Sequence, residues 1–128
     1  MTELIKVLYT KLATLTTRVY SADTVPQTDV TFPYISFKAP TTNDIERMTQ
    51  VIIEIDIWDK KKSGYDAQTA IEALTDTIEK GLEKYAFKNI NIAGRFEKVT
   101  RLSFGKDPDD ENLLRRQLRI EARTFIYD

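Results

Sequence analysis

The sequence predicts an α+β fold, a two-layer sandwich in which an antiparallel sheet of about four strands carries two helices packed on one face. Three observations lead there. Residues 49–59, Thr-Gln-Val-Ile-Ile-Glu-Ile-Asp-Ile-Trp-Asp, alternate with a period of two. In an extended chain Val51, Ile53, Ile55 and Ile57 then share one side, while Gln50, Ile52, Glu54, Asp56 and Trp58 take the other. Two other stretches repeat apolar residues at the three- and four-residue intervals of an amphipathic helix. Finally, the elements follow the order helix, hairpin, helix, hairpin, which makes one antiparallel sheet and leaves two helices to cover its apolar face. At 128 residues and 41% apolar content the chain has material for one core, so 1–128 reads as a single domain.

The first helix runs from Thr2, a plausible N-cap, to about Thr17, with Leu4, Ile5, Leu8, Leu12, Leu15 and Val19 on its apolar stripe. Tyr20 to Pro33 is rich in Ser, Asp, Thr, Pro and Gln and has no period, which predicts a long loop. Tyr34-Ile35-Ser36-Phe37-Lys38 is a short alternating strand with Ile35 and Phe37 inward. Ala39 to Met48 joins it to the central strand through a polar stretch longer than a hairpin turn needs. That surplus is either decoration or an arm that reaches a neighbour. Lys60-Lys61-Lys62-Ser63-Gly64 closes the strand; the lysines read as a solvated corner in preference to a phosphate site, and Ser63 with Asp66 has capping-box spacing. Ala67, Ala70, Ile71, Leu74, Ile78, Leu82 and Tyr85 supply the stripe of the second helix. After a connection from Lys84 to Gly94, Arg95–Gly105 and Leu113–Tyr127 form the second hairpin. Phe96, Leu102 and Phe104 share a face of the first arm, and Leu114, Leu118, Ile120, Ala122 and Ile126 share a face of the second. The acidic linker 106–112 fits no EF-hand spacing and reads as a solvated turn.

Composition removes whole classes of chemistry. No cysteine and no histidine are present, so thiolate nucleophiles, disulfides, zinc-hydrolase centres and histidine-based triads are excluded in their ordinary forms. The four glycines are scattered at 64, 81, 94 and 105, so there is no glycine-rich phosphate loop. Nineteen basic against twenty acidic residues give a net charge of −1 and no global pull toward nucleic acid or anionic membrane. No apolar run approaches a membrane span and the N-terminus lacks a signal-peptide layout, which predicts a protein made and kept in cytosol. Glu54 and Asp56 stand two apart on a strand that faces arginines, which is more simply charge pairing than a carboxylate dyad for catalysis or magnesium. No enzyme, metal or cofactor is expected. A binding or assembly module remains.

Val19-Tyr20, Thr31-Phe32-Pro33-Tyr34-Ile35-Ser36-Phe37, the run Val51-Ile52-Ile53-Glu54-Ile55-Asp56-Ile57-Trp58-Asp59 and the arginine-rich final strand together resemble the tail completion (tail terminator) proteins of long-tailed bacteriophages. The likeness follows nearly the whole chain in order. It implies a subunit of a ring, commonly a hexamer, that caps the finished tail tube, ends its elongation and offers the surface that joins tail to head. The implied partners are further copies of the chain, the tail tube protein and the head connector or stopper protein, with DNA passing through without specific binding and no membrane. The implied location is the head-proximal end of the virion tail, after assembly in host cytoplasm. No docking residue carries over individually. From the residues themselves, the expected interface comprises the hairpin tip with Thr41, Thr42, Asn43, Asp44, Glu46 and Arg47, and the charged sheet face with Glu54, Asp56, Arg115, Arg119 and Arg123. A different reading of that face, with Trp58, is a small α+β module that binds single-stranded nucleic acid.

Overall fold

The strictly alternating run becomes a strand, β3 (Met48–Lys60), and the two helical stripes become α1 (Thr2–Leu15) and α2 (Ala67–Leu82). The computed structural model describes residues 2–21, 24–26, 30–38, 48–106 and 112–126. Its remaining strands are β1 (Val19–Ser21), β2 (Tyr34–Lys38), β4 (Ala86–Lys88), β5 (Ile92–Lys106) and β6 (Leu113–Ile126).

A four-stranded, two-layer sandwich does not form. The chain is mostly β, and its strands make one sheet curled into a half-barrel. Six described strands lie in the order β1-β2-β3-β6-β5-β4. Two physical reasons account for the difference. Strands β3, β5 and β6 are 13, 15 and 14 residues long, and strands of that length accumulate the right-handed twist that coils a sheet. Strands β1 and β4 have only three residues each, too few to show a period of two. Val19, expected on the stripe of the first helix, instead starts β1, which pairs in parallel with β2. The helix stops at Leu15.

Both hairpins are antiparallel, with Ile35 opposite Ile57 in the first and Phe96 opposite Ala122 in the second. They join through β3 and β6, which pair along their whole length from Met48↔Phe125 to Lys60↔Leu113. The inner face of the sheet carries Val51, Ile53, Ile55, Ile57, Leu118, Ile120 and Ala122, all buried. Leu4, Leu8 and Leu12 of α1 and Ile71, Ile78 and Leu82 of α2 complete the same cluster. Each Val, Leu or Ile side chain among them contributes about 1.5–3 kcal/mol when removed from water.

Strand β5 departs from simple alternation. Register shifts between Phe96 and Lys98 and between Ser103 and Gly105 change its phase twice. Phe96 faces the core, but Leu102 stands opposite Gln117 on the outer face, and Val99 and Arg101 take the inward positions opposite Ile120 and Leu118. The expectation that Phe96 and Leu102 share a face is thereby overturned, because an extra residue in a strand inverts every position beyond it. The side chain of Phe104 lies outside the described residues. Helix α2 also begins differently from its expected capping box. Asp66 is itself the N-cap, accepting from the Thr69 N–H at 3.1 Å and the Thr69 hydroxyl at 2.7 Å.

Candidate interaction surface

Alternation in β3 and β6 sends their polar residues to the outer face, and full pairing of the two strands sets those residues in rows. Trp58 lies opposite Arg115, Asp56 opposite Gln117, and Glu54 opposite Arg119. Asp56 is the centre of this face. Its Oδ1 accepts from Arg115 Nε at 2.9 Å and from Gln117 Nε2 at 3.0 Å, and Arg115 NH2 lies 2.8 Å away. Arg119 meets Glu54 at 3.5 Å and Arg123 meets Glu97 at 3.6 Å. These pairs are half-exposed, so each adds little stability, about 0.2–1 kcal/mol, and serves mainly to hold side chains in place. Three donors on one oxygen fix the position of the Asp56 carboxylate.

Beside this lattice runs an aromatic row. The Arg115 guanidinium sits 5.2 Å from the centre of the Trp58 ring, and Trp58 stacks on Tyr34 with centroids 6.3 Å apart and planes 18° from parallel. Tyr34 in turn meets Tyr20 edge-on at 5.9 Å and Phe32 at 5.4 Å. Burial, then the charge of Asp56 and the neighbouring Tyr20, raises the Tyr34 phenol above its ordinary value. Ile52, 45% exposed, is a large aliphatic side chain on this same side of β3.

A second ionic cluster lies where α2 meets the inner face. Arg101 reaches Glu72 at 2.5 Å, Asp76 at 2.6 Å and Glu79 at 3.5 Å. Arg116, almost fully buried, donates from Nε to Glu72 Oε1 at 2.6 Å and from NH1 to the carbonyl of Arg115 at 3.0 Å. The hydrogen bond to Asp76, together with the nearby carboxylates and against the cost of burial, raises the Arg101 value further. The cluster clamps helix to sheet.

Of the residues singled out from sequence, Glu54, Asp56, Arg115, Arg119 and Arg123 come together on the outer face with Trp58. Thr41, Thr42, Asn43, Asp44, Glu46 and Arg47 lie outside the described residues. Sequence reasoning missed the Tyr20–Tyr34–Trp58 row and the Arg101–Glu72–Arg116 clamp. A signal for the second existed, since Arg116 interrupts the apolar phase of its strand between Leu114 and Leu118. No group of three or more potential metal ligands occurs among the described residues, and no described helix is long and apolar enough to cross a membrane.

The two borders of the sheet are unlike. One ends at β1, paired with β2 alone, and the other at β4, paired with β5 alone. Strand β4 covers only Ala93 to Arg95 of β5. From Glu97 to Lys106, β5 therefore has β6 on one side and no strand neighbour on the other among the described residues. Compared with family models and with curated proteins, the chain matches none of them.

Proposed function

We propose that the chain is a non-enzymatic assembly subunit that builds a ring with further copies of itself, of the tail-terminator kind its sequence resembles. In that role it caps a tail tube, ends elongation and presents the surface that joins tail to head. The observation that carries the reading is the pair of unlike sheet borders, with the long uncovered stretch of β5 on one of them. Unpaired strand backbone is a template for pairing with another chain. A ring needs one patch to meet a different patch on the next subunit, and two unlike borders of one rigid sheet supply that asymmetry.

The nucleic-acid reading of that face has less support. Arg115, Arg119 and Arg123 each face a carboxylate, Asp56, Glu54 and Glu97 in turn. Phosphate would have to displace those partners, and few counterions would be released.

Sedimentation velocity over a range of concentrations, with and without assembled tail-tube protein, tests the proposal, alongside negative-stain imaging for annuli. Concentration-dependent closed oligomers, or binding to tube ends, are the expected result. A strict monomer that ignores the tube would overturn it.

A further inference from the structure

Between α1 and the border strand β4 lies an open groove of about 570 Å³. Its floor is apolar, with Val7 from the helix and Phe87 from the strand. Its rim is basic: Lys6 and Lys11 on the helix side and Lys88 on the strand side, against the single carboxylate of Glu3. Lys6 is 3.6 Å from Glu3 and stays 67% exposed, Lys11 sits 4.5 Å over the Tyr85 ring, and Lys88 is exposed. One wall is the outer border of β4, whose other border pairs with Ala93, Gly94 and Arg95.

We propose that this groove is a docking site for an extended acidic peptide segment of a partner protein, laid along β4 as an added strand. Three features point to that occupant. The three ammonium groups outnumber the one carboxylate, so the rim complements negative charge. The floor takes apolar side chains, and an extended segment that alternates acidic and apolar residues turns the first to the rim and the second to the floor. The wall is strand backbone, which offers both N–H donors and C=O acceptors. A polypeptide backbone answers both at strand spacing, whereas a nucleic-acid backbone brings phosphate acceptors and no N–H donors. The groove uses the outer border of β4, whereas the uncovered stretch belongs to β5 and begins at Glu97, just past the Arg95 that β4 covers. Among the described residues, the groove is lined by none of the 97–106 stretch, so peptide binding and self-association are separate readouts and either can fail alone.

The test uses the full chain and fluorescently labelled octapeptides that alternate Glu with Val or Lys with Val, and an oligothymidylate of similar length. The Glu-Val peptide is expected to bind, weakening with added salt. The doubly substituted Lys6→Glu/Lys88→Glu chain is expected to lose roughly tenfold or more in affinity for it while keeping its melting temperature and sedimentation coefficient. Amide NMR shifts on binding are expected at Ala86–Lys88 and along the facing side of α1. The proposal is overturned if no peptide binds, or if the Lys-Val peptide or the oligothymidylate binds as well. Indifference to the double charge reversal, or shifts that fall on Lys60–Lys62 instead, overturns it too.

Discussion

Asp59 is the most deeply buried carboxylate described, 1% exposed at the end of β3. It is held by the Lys60 N–H at 2.8 Å and the Tyr65 hydroxyl at 2.5 Å. Tyr65→Phe removes one donor and leaves a buried charge short of a partner, a loss of roughly 1–3 kcal/mol in denaturant unfolding. Burial and the bond to Asp59 push the Tyr65 phenol up to about 12 from an ordinary value of 10.0. A raised value means that the folded state holds the proton more tightly, so this contribution is whole below pH 10 and disappears as pH climbs toward 12. Ultraviolet titration of the folded chain should show late-ionising tyrosine absorbance, from Tyr65 and from the raised Tyr34, and Tyr65→Phe should remove the Tyr65 share of it. Gly94 makes a sharper case. A Cβ there would stand 2.3 Å from the Arg123 carbonyl oxygen and 3.0 Å from the Phe87 ring, and the carbonyl belongs to a paired strand that cannot give way. Gly94→Ala should cost about 1–3 kcal/mol or more by thermal melting. At Gly81 the added Cβ meets only the flexible end of Leu15, at 2.6 and 2.8 Å, and alanine is the better helix former. Gly81→Ala should therefore cost much less.

At the scale of elements, a helix is held to a sheet by one acid shared between two arginines. Removing Glu72 leaves Arg116 buried without a carboxylate, so Glu72→Ala should cost about 2 kcal/mol by chemical denaturation. Asp76→Ala or Glu79→Ala should cost less than about 1 kcal/mol, since Arg101 keeps its other partners and both acids are partly exposed. The elements that sequence reveals are those with many repeats of their period. Strands β3 and β6 and both helices are legible because four or more side chains in each repeat the same instruction, whereas β2 offers two such side chains and the phase of β5 is broken by its bulges. Strands β1 and β4 are not legible, because three residues carry no period; β1 is placed by its pairing with β2, and β4 by the adjoining start of β5. The bulges of β5 are hidden for another reason, since a phase change leaves the composition of the strand unaltered. At the candidate site the outer-face residues could be read from alternation in β3 and β6. The row Tyr20–Tyr34–Trp58 could not, because it depends on which strands lie side by side.

At the scale of the molecule, the uncovered border of β5 gives the proposed ring its most direct test. Thr100 is exposed there, opposite Arg119. A lysine at a strand border blunts pairing with another chain. Thr100→Lys is expected to weaken self-association at least about tenfold in sedimentation velocity, with a melting temperature close to that of the parent. The strand order has one more consequence. The last described strand, β6, lies at the heart of the sheet, bridging the early β2–β3 hairpin to the late β4–β5 unit. On the ribosome, neither half can close over its greasy side until β6 emerges. Long-range pairing of this kind makes folding slow, on the order of milliseconds to seconds. Until synthesis has passed β6, the facing borders of β3 and β5 therefore stay without the strand that joins them.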